Sequence, residues 1–411
     1  MPVLLPEDFA YPLPKMHKVR QDVPTDRLQD IAGAVRTEIS KDEIRAKIKP
    51  GAKVAVCVGS RGLKNLPIIV KAVVDCISDA GGNPFILSAM GSHGSGREAG
   101  QREVLADYGI TEETMGVPVV TKVDVTLIGK TKSRDVDVWF DNIALECDLI
   151  VPINRIKLHT HFSGDIQSGL HKMLTIGLGN HVGCTAYHQS DFKYFGTTMV
   201  EAVDIIMQKA NVGFGVAVVE NAYDETYLIE AVMAETMFER EKALLKLASA
   251  NYPRIMVEDI DILIVEQIGK NISGAGVDPH VVGKSFNIDK FPLPVPNVDQ
   301  MILLDATDKT HGNLAGVGNF TVITRKVFEK MNYDSTYANC IAAKSFEEAK
   351  IPIIAADEEE AIRMVVKALK HGADRDNLKI VKIKNTLELD EIEVSDALIP
   401  YVQDHPKLTL L

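Results

Sequence analysis

The chain is short of cysteine and tryptophan, has no long apolar run and carries no excess of basic residues, and each shortage removes a class of protein. Its five cysteines (Cys57, Cys76, Cys147, Cys184 and Cys340) are odd in number, widely spaced and without a CxxC pair. Neither a disulfide framework nor a zinc ribbon fits that pattern. No apolar segment approaches the roughly 20 residues that span a bilayer. The opening "MPVLLPEDFAYPLPK" lacks a basic segment followed by an apolar one, so the expectation is a cytoplasmic protein with no membrane partner. A net charge of -12 argues against nucleic acid, which is held through clustered Lys and Arg. Nucleotide signatures are also missing: "VGSRG" lacks the third glycine of a dinucleotide loop, and no GxxxxGK[ST] occurs. There is no HExxH and no Cys-His finger spacing.

What is present is alternation of valine-rich runs with helical periodicity. "KVAVCVG" has the composition of a buried parallel strand. A polar loop follows, Asn65 and Pro67 mark a helix start, apolar residues recur at helical spacing from Ile69 to Ala80, and Gly81-Gly82 closes the element. "PFILSAM" then runs into the glycine-rich "GSHGSG", completing a βαβ unit. Strands are expected at "PVVTKVDVTLIGK", "DLIVPI" and "VGFGVAVVEN", and a long helix over about 227–249. After "ANYPRIMVED" the alternation restarts with strands at "IDILIVEQ", "QMILLDA", "IPIIAA" and "LKIVKIK" and helices near "FTVITRKVFEK" and "EEEAIRMVVKALKHG". The fold class is therefore α/β, with two α/β domains built on mainly parallel sheets, residues 1–255 and 256–411. The tail "DALIPYVQDHPKLTLL" is free to dock on either.

Chemistry is expected in loops at the carboxyl ends of parallel strands, where the sheet edge opens into a crevice. Four such loops qualify: one with Arg61, one with His93 between glycines, the segment 157–188, and one with Gln267 and Lys270. Five of the eleven histidines, His159, His161, His171, His181 and His188, fall in that third segment beside Lys172. Imidazole, ammonium and guanidinium with few carboxylates suit proton transfer on an anionic, oxygen-rich ligand. Clustered imidazoles also suit a metal. His159-Thr160-His161 has the form that opens metal-dependent hydrolase barrels, which leaves a zinc-type hydrolase as an alternative and a non-catalytic ligand-binding protein as another.

The segments "NRIKLHTHFSGDIQSGLHKMLTIGLGNHVG", "EQIGKNISGAGVDP" and "THGNLAGVGNFT" resemble the nickel-dependent lactate racemase family, in particular its divergent homologues, over most of the chain. That resemblance implies a racemase or epimerase of a 2-hydroxy acid with an interdomain active-site cleft. It implies a nickel-pincer nucleotide, a pyridinium mononucleotide joined covalently to a lysine and holding nickel with one protein histidine, and so dependence on cofactor-building enzymes. By position, Lys172 resembles the attachment lysine and His188 the nickel ligand, with His181 as competitor. His93 and His159 resemble the two acid/base histidines on opposite faces of the substrate, and Arg61, Gln267 and Lys270 the groups that hold its carboxylate. The implied reaction passes hydride from the hydroxylated carbon to the cofactor and back to the other face, through a planar 2-keto acid. Two departures point away from lactate itself: Val58 stands where the family carries an aspartate, and the single tryptophan, Trp139, is not in the C-terminal half. His161 and His171 are left without an assigned role.

Overall fold

The computed structural model describes residues 3–10, 12–59, 62–369 and 374–411. Arg61 therefore lies outside the described residues. The chain divides into two compact units, Thr25–Tyr252 and a discontinuous unit made of Met1–Pro24 with Pro253–Leu411. Against the contiguous 1–255 and 256–411 division expected from the sequence, the first 24 residues fold with the C-terminal part. The reason is strand pairing: Met16–Gln21 lies antiparallel between Glu391–Ser395 and Leu408–Leu410. The same pairing places the C-terminal tail.

In Thr25–Tyr252 a six-stranded sheet runs, edge to edge, Val119–Val120, Asn83–Ser88, Lys53–Val58, Leu149–Arg155, Phe214–Glu220 and Thr226–Met233. The first five are mutually parallel and only the last is antiparallel. Lys53–Val58 and Asn83–Ser88 each have five buried residues of six, the pattern of strands covered on both faces. Between them the helix Leu66–Asp79 buries Ile69, Val70, Val73, Val74 and Ile77 against the sheet. Each such side chain contributes about 1.5–3 kcal/mol by leaving water. Asn83–Ser88, Lys53–Val58 and Leu149–Arg155 are parallel neighbours, so the loops after Ser88 and Arg155 leave the same edge of the sheet on either side of the end of Lys53–Val58.

The other unit holds an eight-stranded sheet in the order Ile353–Ala355, Val322–Thr324, Asn297–Ala306, Asp259–Ile268, Ile380–Ile383, Glu391–Ser395, Met16–Gln21, Leu408–Leu410. Its first five strands are parallel and the remainder antiparallel. Among the described residues no helix is long and apolar enough to cross a membrane.

Two expected elements differ. The helix over 227–249 is a strand, Thr226–Met233, followed by the helix Met237–Ala250. "TYLIEAVM" pairs along the whole of Phe214–Glu220, and tertiary pairing decides its conformation. "FTVITRKVFEK" likewise splits into the strand Val322–Thr324 and the helix Arg325–Lys330, because its β-branched start fills a parallel position beside Ile302 and Leu303.

Candidate active site

The loop after Asn83–Ser88 carries His93 through a run of left-handed turns at Gly91, Gly94, Ser95 and Gly96. At Gly94 a side chain is impossible without movement, since a Cβ would lie 2.5 Å from the Gln101 nitrogen. The loop packs on the segment that bears the other histidines: the Gly91 N–H donates to the Gly177 carbonyl at 3.1 Å, and Gly96 has His181 against it. His93 itself is half-buried.

Beyond Arg155 the chain enters the histidine-rich segment. The buried Gln167 side chain accepts from the His159 N–H at 2.7 Å and donates to the Gly164 carbonyl at 3.2 Å, tying the His-Thr-His stretch to the following turn. The His161 N–H donates to His159 Nδ1 at 3.2 Å, which leaves Nε2 as the protonated nitrogen of a neutral His159 ring. His159 stacks on Phe162 at 4.2 Å between ring centroids. His161 is buried and stacks on Phe192 at 5.7 Å, and the edge of Phe192 also meets His188 at 6.0 Å. Phe195 contacts both Phe162 and His188, at 5.3 and 5.4 Å. His159, His161 and His188 thus share one aromatic wall.

Lys172 closes the short helix Leu170–Lys172, half-buried between fully buried neighbours. A π-helical turn, Met173–Gly177, follows, with the Leu178 N–H reaching back five residues to the Met173 carbonyl at 2.9 Å. Such turns widen the spacing of side chains along a helix and recur at functional sites. The helix Asn180–His188 then ends in His188. Its start is a left-handed Asn180 with φ 50°, fixed by a 2.9 Å bond from its Nδ2 to buried Asp141.

His188 Nδ1 donates to the Cys184 carbonyl at 2.7 Å, which fixes the ring, as a hydrogen bond on one nitrogen does in metal-binding imidazoles. The Cys184 thiol lies 3.6 Å from the same Nδ1 and from Ser92 Oγ. Burial alone would push the His188 pKa down, but Cys184 outweighs it and the net shift is upward, opposed by the nearby Lys172 ammonium. Burial raises the Cys184 thiol in turn, and His188 overcomes that and lowers it. Among the described residues no group of three or more His, Cys, Asp or Glu is arranged to hold a metal ion, so His159 and His161, with ring centroids 5.9 Å apart, belong to no such protein-only set. A single histidine ligand fits a metal whose other donors come from a cofactor.

His171 is turned the other way, with Nδ1 2.7 Å from Glu241 in the protein interior. Gln267 is the penultimate residue of the strand Asp259–Ile268 and lines an open cavity of about 440 Å³ with Asn271, Thr307 and Lys309. Lys270 Nζ donates to the Gly274 carbonyl at 2.5 Å and to Asn339 Oδ1 at 2.6 Å, so its ammonium is held by its own unit. Trp139 lies beneath the helix Asn180–His188, its Cβ 3.4 Å from where a Gly183 Cβ would be. Gln167, Cys184, Asn180 and Glu241 were not singled out from sequence, since each takes its role from a contact.

Lys172, the π-helical turn and the ring of His188 thus lie on one stretch of an α/β scaffold, beside a glycine-rich histidine loop. Residues 12–197 match the lactate racemase N-terminal domain family, a stretch that includes Arg61, His93, His159, Lys172 and His188 and stops short of Gln267 and Lys270. That match covers the N-terminal part of the chain, a little under half of its 411 residues. Its fold is similar to the lactate racemase apoprotein from Thermoanaerobacterium thermosaccharolyticum, with 14% identity, a TM-score of 0.56, and 91% of this chain and 99% of that one covered. A protein from Thermotoga maritima is 13% identical over 69% of this chain and 72% of its own, with a TM-score of 0.47. No curated protein matches the chain.

Proposed function

We propose that the protein is a racemase or epimerase of a 2-hydroxy acid, acting in the cytoplasm with a nickel-pincer nucleotide attached to Lys172 and ligated by His188. The observation that carries the reading is that His188 ends the helix that follows Lys172 and the π-helical turn, its ring fixed through Nδ1 by the Cys184 carbonyl. When bound, the cofactor supplies the hydride acceptor that a 2-hydroxy acid needs to lose its stereocentre. Its attachment requires other enzymes that build it.

This chain's own residues then bind and move protons. His93 and His159 are the proposed acid/base pair, because each enantiomer must give up its hydroxyl proton on its own side and histidine titrates near working pH. Arg61, Gln267 and Lys270 are the proposed holders of the substrate carboxylate, through a guanidinium fork, an amide and a point charge. One observation favours a second reading of the base: His161, not His159, shares Phe192 with His188.

The test is chiral analysis of a panel of 2-hydroxy acids with cofactor-loaded protein. His93→Ala and His159→Ala should each lower interconversion by about 10²–10⁴-fold with the Lys172 adduct retained. Full activity in either variant removes that residue from the pair, and loss in His161→Ala with activity kept in His159→Ala transfers the role to His161.

A further inference from the structure

Glu241 sits on the helix Met237–Ala250, far in sequence from the lysine segment, yet it is inserted into it. One carboxylate oxygen accepts the His171 backbone N–H at 3.1 Å and lies 2.7 Å from His171 Nδ1, with the two side chains 1% and 2% exposed. The other oxygen is buried without a hydrogen-bond partner and covers Gly169, where any Cβ would overlap it. The same turn is held from its other side. Asn154 Nδ2 donates to the Gly169 carbonyl at 2.7 Å and Thr175 Oγ1 donates to the His171 carbonyl at 2.8 Å. Burying a carboxylate beside an imidazole is harder on stability than an apolar pair of the same shape, and an unpartnered buried oxygen adds to that cost. The chain nevertheless puts this pair at the residue next to Lys172.

We propose that Glu241 is a positioning residue for Lys172, acting through His171. By fixing the first turn of Leu170–Lys172 from a neighbouring helix, it sets the direction in which the lysine leaves the backbone and the side-chain freedom it retains. The proposal rests on Lys172 as the attachment point. Its sequence correlate is the glycine at 169, which leaves room for the carboxylate.

The test uses the full chain without cofactor, so that it reads the lysine and not turnover. A small acylating reagent is applied between pH 7 and 10, and labelling of Lys172 is followed by peptide mass spectrometry against Lys53 and Lys209 in the same sample. Glu241→Ala, shown folded by near-ultraviolet circular dichroism, should raise Lys172 acylation at least five-fold relative to the two reference lysines and shift its midpoint pH. Glu241→Gln keeps an acceptor oxygen for the His171 N–H and should restore both to within two-fold of the parent. If the alanine variant does not fold, Gly169→Ala displaces the carboxylate instead and carries the same expectation. A folded variant in which Lys172 labels at the parental rate and midpoint overturns the proposal, as does an equal rise at all three lysines, which is general loosening. The mass of the wild-type adduct after cofactor loading tests the attachment reading separately.

Discussion

His188 has its ring orientation set by a backbone carbonyl four residues earlier, so the metal-binding role proposed for it is separable from the fold. Replacing His188 by Ala should leave the Lys172 adduct in place and drop bound nickel, measured by elemental analysis, from near stoichiometric to near zero; His181→Ala should keep it, because His181 is exposed and packs against Gly96. Nickel lost from the His181 variant instead would exchange the two roles. The acid/base, anchor and ligand candidates were legible in the sequence because glycines and imidazoles concentrate around one lysine. The residues that hold them were not. Glu241 is 70 positions from His171, and nothing local marks a glutamate in a charged helical run as buried. His171 shows the converse, an imidazole inside the cluster whose partner lies outside it.

The start of Asn180–His188 is tied to Asp141, whose carboxyl accepts from the Ile143 and Ala144 N–H groups and from Asn180. Burial raises its pKa from 3.8 to about 6, partly offset by those hydrogen bonds. Because the folded value lies above the unfolded one, this group's contribution to stability is fully present below about pH 4 and is lost as pH rises through about 6, by about 3 kcal/mol at most. Asp141→Asn, which cannot ionise, should therefore melt higher relative to the parent at pH 7.5 than at pH 4.5, by differential scanning calorimetry; a pH-independent difference would contradict this. In the neighbouring loop, Gly94→Ala meets both a positive φ and the Gln101 nitrogen. It should cost about 1–3 kcal/mol in a denaturant melt and displace His93, with activity falling while the adduct remains. At this scale the strands with continuous valine-rich runs were readable from sequence. Thr226–Met233 was not, because Glu230 interrupts its apolar run and the charged helix behind it supplies the periodicity.

Across the whole molecule, the unit containing residues 253–411 depends on a strand from the other end of the chain. Val19 is fully buried between Ile392 and Leu410. Val19→Asp should expose the amides of Glu391–Ser395 to hydrogen exchange and leave those of Lys53–Val58 protected, since the two sheets belong to separate units. Equal loss in both sheets would mean the units unfold together. A boundary near residue 255 could be read from the restart of the α/β alternation. The return of the N-terminal strand could not, because Met16–Gln21 alternates too weakly to announce a partner almost 400 residues away.

The central claim is that Lys172 carries a nickel cofactor, and the most direct measurement is peptide mass spectrometry with metal analysis on protein co-expressed with the enzymes that assemble the nickel-pincer nucleotide. The account predicts a mononucleotide-sized adduct on Lys172 accompanied by about one nickel per chain, as single-site attachment requires. An unmodified Lys172 in protein that had met the mature cofactor would contradict it.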